Sequence, residues 1–231
     1  MPSRSSQPSA PRLDVLFEDD QLLVAVKPAG LPTANAPRGT PSLFTSVQSH
    51  LGPQAFVGVV SRLDAPVSGV VVMAKTRSAA ADLAGQFRQR TVEKSYHAVC
   101  GGRFPAPLGT WVEWHDDIAR PPTDEEEGDQ KSLTAHTRAR VTRRAGEVSL
   151  VELVPSTGRR HQLRVQLAHR GCPIVGDRLY GSRIPFDSGI ALHAHALAFD
   201  HPHTGARMRF EAPAPAAWKA RFPMLFKHRP T

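Results

Sequence analysis

Cysteine is nearly absent. Cys100 and Cys172 are the only two in 231 residues. Both sit in apolar surroundings, and neither belongs to a metal-type or disulfide-type spacing, so they read as buried free thiols. Long apolar runs are missing as well. No stretch approaches the roughly 20 residues needed to span a bilayer. The Ser/Pro-rich start, residues 1–11, lacks the hydrophobic core of a secretory signal and reads as a disordered tail on a cytoplasmic protein. Acids are few beside bases, 21 Asp and Glu against 29 Lys and Arg. They are also segregated: residues 113–129 hold eight acids and one base, leaving 28 bases against 13 acids elsewhere. A basic body of this kind suits a polyanionic partner such as nucleic acid; the plainer reading is a generally basic surface.

What is present is 40% hydrophobic. That is enough for a sizeable core, and the length suits one domain over residues 12–231. Two apolar runs around Glu18-Asp19-Asp20 predict a hairpin within residues 12–26. Lys27-Pro28-Ala29-Gly30-Leu31-Pro32 forces a loop. Ser42 is placed to cap a helix with Leu43, Val47 and Leu51 on one face, and Ser78 a second with Ala79, Leu83 and Phe87. Val70 to Ala74 reads as a buried strand. Val92 to Cys100 alternates so that Lys94 and Tyr96 share a face. Residues 103–131 predict a long surface insertion, with an acidic loop near 113–131. Two alternating runs, 134–141 and 147–154, predict another hairpin. A helix capped by Ser156 or Thr157 and ending at Gly171 would place Arg160 and Arg164 one turn apart on one face. Two further strands flank the turn at residues 201–205. Many strands, few helices and no regular βαβ alternation predict an α+β fold with a mostly antiparallel sheet.

Four segments carry chemistry. In Ser61-Arg62-Leu63-Asp64-Ala65-Pro66-Val67-Ser68-Gly69 a base and an acid stand two residues apart, where Pro66 and Gly69 break the chain. Such a bend can hold a carboxylate on rigid backbone at the lip of a cleft. Taken singly it is as readily a charged surface turn. Lys94 and Tyr96 can present an ammonium and a phenol to one pocket, or pack at the rim of the core. Residues 157–164 form a basic helix start suited to anions, or a solvated basic helix. Residues 176–181 form a loop bounded by glycines. His193, His195, His201 and His203 raise a zinc reading, but no Cys, Asp or Glu nearby completes a set, so no metal is expected.

The order of these segments is more specific than any one of them. The string SRLDAPVSGVVVMAKT is followed by VEKSYHAV, PSTGRRHQLRVQLAHRGCPIVGDRLYGS and LHAHALAFDHPHTG, and preceded by VAVKPAGLPT. Together they resemble the RluA-type family of RNA pseudouridine synthases over roughly residues 12–215. No S4-type RNA-binding module is expected before the domain. The resemblance implies the pseudouridine-synthase fold, a mixed sheet with flanking helices and a central active-site cleft. It also implies a structured RNA partner (rRNA or tRNA), no cofactor and a monomer.

By the same resemblance, Asp64 is the catalytic carboxylate. Arg62 fills the gap left by a flipped uridine. Tyr96 lines the pocket against uracil and acts as a base, and Arg164 pairs with Asp64. Leu163 helps form the apolar wall, while Lys94, Arg160 and His161 are expected to hold substrate or RNA. The implied reaction breaks N1–C1′ of a uridine, turns the base and joins C5 to C1′, by attack at C1′ or through a glycal. Ser61, Ala65 and Val67 depart from the family's usual His, Arg and Thr, which bears on substrate choice more than on chemistry. A non-catalytic RNA-binding protein is the alternative, but binding alone has no use for a carboxylate among phosphates.

Overall fold

A computed structural model describes residues 13–37, 39–118 and 133–227. The tail expected at residues 1–11 and the acidic run Asp124 to Asp129 lie outside the described residues. The strands are β1 (Asp14–Glu18), β2 (Leu22–Lys27), β3 (Gly58–Val59), β4 (Ser68–Ala74), β5 (Glu93–Gly101), β6 (Val112–Ile118), β7 (Leu133–Ala145), β8 (Val148–Pro155), β9 (Leu192–Asp200) and β10 (Arg207–Glu211). The helices are α1 (Leu43–Leu51), α2 (Arg77–Gln89), α3 (Gln162–His169), α4 (Ala216–Arg221) and α5 (Pro223–Phe226).

All ten strands join one sheet in the order β1-β2-β4-β9-β5-β8-β7-β6, with β3 added to β4 and β10 to β9. Every pairing is antiparallel except the short one between β4 and β9, Ser68 with His193 and Gly69 with Ala194. The α+β expectation and both hairpins therefore hold. Apolar residues of β5, β7 and β8, among them Ala98, Val141 and Val151, form the largest core cluster together with Leu163 and Leu167 of α3 and with Trp218. A second cluster joins β2, β4 and β9 to Leu83 of α2.

Three sequence expectations need correction. The cap of α2 is Thr76, whose Oγ1 accepts from Ala79 N at 3.1 Å, and not Ser78. The Thr76 hydroxyl also donates to Gln21 Oε1, a contact from the first hairpin that sequence spacing does not reveal. The expected insertion is not loop throughout: residues 112–118 form β6, paired with β7 and tied to α3 by the Gln166 amide and Arg170 on Asp116. Finally, α3 begins at Gln162, capped by His161 rather than by Ser156 or Thr157. Thr157 is engaged elsewhere, its hydroxyl accepting from His136 N and donating to Gln162 Oε1. Arg160 therefore lies in a loop and shares no helix face with Arg164.

Gly69 sits where β4 meets β9. Its φ is +129°, and an added Cβ would lie 2.3 Å from Ala194 O and 2.5 Å from Ala194 N. Backbone cannot yield as a flexible side chain does, so Gly69→Ala is expected to cost about 3 kcal/mol or more in a urea titration.

His97 on β5 is paired with His193 on β9. Both are held down to about 4: His97 by burial first and then by the like charges of His195 and His193, and His193 mainly by burial. Each stays neutral in the fold, whereas the unfolded chain takes up protons below its ordinary 6.5. Stability is therefore lost as pH falls from about 6.5 toward 4. Urea midpoints measured across that window should fall for the wild type and fall less for His97→Gln.

Candidate active site

The loop between β3 and β4 carries Arg62 and Asp64 and is clamped from both sides. Thr33 Oγ1 donates to Leu63 O at 2.8 Å and accepts from Leu63 N at 3.1 Å. Gly30 N donates to Ala65 O at 2.8 Å, and Ile190 N to Pro66 O at 3.1 Å. The Lys27 ammonium is fully buried and donates to Pro28 O, Leu31 O and Ala65 O. Burial lowers its pKa to about 8, opposed by the charge of Asp64. These contacts explain why Asp64 stands on a rigid bend although β3 is only two residues long.

Arg164 enters from α3. Its Nε and Nη2 form a two-point contact with Asp177, at 2.7 and 2.9 Å, and its Nη1 donates to Asp64 Oδ2 at 3.1 Å. The Tyr180 ring lies 5.0 Å from the guanidinium carbon. The side-chain exposures are unequal in an informative way: 1% for Asp177, 7% for Arg164 and 31% for Asp64. Asp177 is committed to holding the arginine, whereas Asp64 keeps part of its carboxylate open to the cleft.

His161 Nε2 stands 3.5 Å from Asp64 Oδ2, and its Nδ1 is 2.8 Å from the Tyr180 hydroxyl. A neutral His161 with its proton on Nε2 satisfies both neighbours, since Tyr180 then donates to Nδ1 and no lone pair faces the carboxylate. His161 itself adopts a left-handed conformation, φ 56°, at the cap of α3. Gln162 fixes the preceding loop by accepting from Thr157 Oγ1 and Arg159 N, and by donating to His136 O and Thr137 Oγ1.

Across from these groups β5 supplies Lys94 and Tyr96. Lys94 Nζ donates to Thr157 O at 3.3 Å. Burial lowers the Lys94 pKa, helped by the charge of Arg90. Burial raises the Tyr96 phenol to about 12, and the charge of Asp64 adds to the rise. All eight residues singled out in the sequence, Arg62, Asp64, Lys94, Tyr96, Arg160, His161, Leu163 and Arg164, line one cleft of about 660 Å³. Arg62 and Arg160 are exposed at its rim, and Leu163 is buried in its wall.

Sequence reasoning missed Lys27, Gln162, Asp177 and Tyr180 as members of the site. Lys27, Asp177 and Tyr180 were visible as parts of VAVKPAG and GDRLYG, but nothing in those strings says which side chain they face. Three of the four histidines of the zinc reading, His193, His195 and His201, have protein partners for their rings. His193 contacts Ser68 Oγ and Ala212 O, and His201 contacts Asp19 and the amides of His203 and Thr204. Among the described residues no group of three or more His, Cys, Asp or Glu is placed to hold a metal ion, and no helix is long and apolar enough to cross a membrane.

The family model for RNA pseudouridylate synthases matches residues 21–169, a span that holds the loop of Asp64, both residues of β5 and Arg164. The chain belongs to that family. Ribosomal large subunit pseudouridine synthase D of Pseudomonas aeruginosa is 36% identical over 229 residues, covering 88% of this chain and 68% of that protein. The protein of the same name from Xanthomonas campestris is 38% identical, covering 88% and 66%. The chain thus spans about two thirds of the length of these curated relatives. A solved human RNA pseudouridylate synthase domain-containing protein matches the fold with a TM-score of 0.73 at 24% identity, covering 94% of this chain and 95% of that one. The protein is an RluA-type pseudouridine synthase, an isomerase acting on RNA uridines.

Asp177 holds Arg164 as a buried pair, and removing one partner strands the other's charge. Asp177→Ala is expected to cost about 3 kcal/mol by chemical denaturation.

Proposed function

We propose that this synthase isomerises uridines within structured RNA, rRNA or tRNA, with Asp64 as the catalytic carboxylate. The observation that carries the assignment is the part-exposed Asp64 carboxylate gripped by Arg164 at 3.1 Å in a cleft that no other acidic side chain lines among the described residues. A carboxylate that only balanced charge would close onto Arg164 completely, as Asp177 does. Asp64 instead keeps oxygen surface facing the space a uridine would fill.

A stacked uridine has to leave its helix before Asp64 can reach C1′, at a cost of a few kcal/mol. Arg62 sits exposed two residues before Asp64. Its flat, cationic side chain suits the vacancy in the stack. Leu163 and the ring of Tyr96 offer apolar surface to the extruded base. Lys94, Arg160 and His161 line the route by which its phosphates would approach. The N1–C1′ bond then breaks with Asp64 attacking C1′ or assisting glycal formation. Uracil turns and C5 joins C1′, as the C1′–Asp64 bond breaks on the first route or as C2′ regains its proton on the second; the proton on C5 is then lost and N1 is left protonated.

A phenol held at about 12 is a scarce base at neutral pH. We therefore assign Tyr96 first to the wall of the pocket. On the route by attack at C1′, bonding of Asp64 to carbon removes the second cause of the raised Tyr96 pKa and leaves burial, the larger one.

The test uses rRNA and tRNA labelled with tritium at C5 of uridine. Wild-type protein should release tritium from at least one of them, and Asp64→Ala should lose release by 10³-fold or more. No release by wild type from either RNA, or full release by Asp64→Ala, overturns the assignment.

A further inference from the structure

Next to the catalytic cleft lies a second trench of about 480 Å³. The two share Arg62, Lys94 and Tyr96, so the trench leads directly out of the site. It runs along the C-terminal end of α2, where Arg88 and Arg90 line it, with Arg159 on the other side. Among the described residues no acidic side chain lines it.

Many cations elsewhere on the molecule have an acid beside them: Arg140 has Glu152, Arg170 has Asp116, Arg207 has Glu93 and Lys75 has Glu18. Among the described residues, none of Arg62, Arg88, Arg90, Lys94 and Arg159 has a carboxylate at ion-pair distance. The positive field is felt inside the trench, where the charge of Arg90 acts on Lys94.

A second, independent observation concerns the backbone. Arg90 caps α2 in the left-handed conformation, φ 63°. Glycine is the favoured residue at such a cap, because a Cβ is strained there. The chain nonetheless places a long cationic side chain at this point, on the trench and with no acid at ion-pair distance among the described residues. The half-buried Phe87 also lines it. A cationic groove with an aromatic surface is the combination that takes single-stranded nucleic acid.

We propose that this trench binds the single-stranded continuation of the RNA substrate on one side of the target uridine, with phosphates on Arg88, Arg90 and Arg159. The inference rests on the RNA reading above and adds to it the path of the strand.

The probe is a fluorescein-labelled 15-nucleotide oligouridylate, with a blunt RNA hairpin of equal charge as comparison. Binding is followed by anisotropy across a KCl series for wild type, Arg90→Gly, Arg88→Gln/Arg90→Gly, and Lys219→Gln as an exposed control on α4. The double variant should raise Kd for oligouridylate about tenfold. It should also flatten the slope of log K against log salt by about 1.4, or 0.7 for each lost phosphate contact. Arg90→Gly should weaken binding while its melting temperature equals or exceeds that of wild type, which separates the loss from misfolding. A Kd and slope indistinguishable from those of Lys219→Gln overturn the proposal. So does an equal loss on the hairpin, which would make the trench a duplex site. These readouts need no turnover, so absence of tritium release by a wild-type protein that binds as expected would sink the catalytic reading and leave the trench standing.

Discussion

The site is organised by a single guanidinium. Arg164 projects from α3 and holds Asp177 with two nitrogens and Asp64 with a third. Arginine alone among the basic side chains has the planar fork that can hold one carboxylate in two-point contact and still donate to another. The two acids divide the work by burial. Asp177 compensates the arginine's charge in the interior and fixes its plane, and Asp64 is then presented to the cleft with its orientation set. The β3–β4 connection comes from a part of the chain far from the helix α3 and the nearby loop of residues 176–181, and all three meet at this one side chain.

Around that centre the backbone is held where it would not otherwise rest. Asn35, Arg90 and His161 are the non-glycine residues with positive φ among those described, and each borders the cleft, its trench or the adjoining hollow near Thr33. Left-handed backbone is strained for a side chain, so it persists where neighbouring contacts over-determine it. At His161 those contacts are the Gln162 network behind it and the Tyr180 hydroxyl in front of it. Lys27 does comparable work from below, its ammonium joining three carbonyls so that the segment after β2 and the loop of Asp64 move as one.

The pattern of what was legible follows the range of the forces. Hairpins and buried strands announced themselves because period-2 alternation is local. The cap at Ser42 was legible for the same reason, since its hydroxyl meets Thr45 N three residues away. The start of α3 was misplaced because the Thr157 hydroxyl accepts from His136 N on β7 rather than from an amide in the next turn of its own segment. Thr76 and Ser78 are two hydroxyls two residues apart, and a partner on Gln21 selects between them. The strand β6 was hidden inside an acidic, Pro-rich stretch, where composition suggested a loop and pairing with β7 overrode it.

The sequence by itself determined the family, the α+β class and the residue types that line the cleft, because motif order and alternation are written along the chain. Only the tertiary structure decided that eight separated residues line one cleft. It also showed that Asp177 and not Asp64 holds the arginine in the interior, and that Arg88 and Arg90, at the end of α2, have no acid at ion-pair distance among the described residues. Which carboxylate is buried, and which cation lacks a partner, depends on distances between segments up to a hundred residues apart. Side chains are selected for those encounters, but linear spacing carries no record of them.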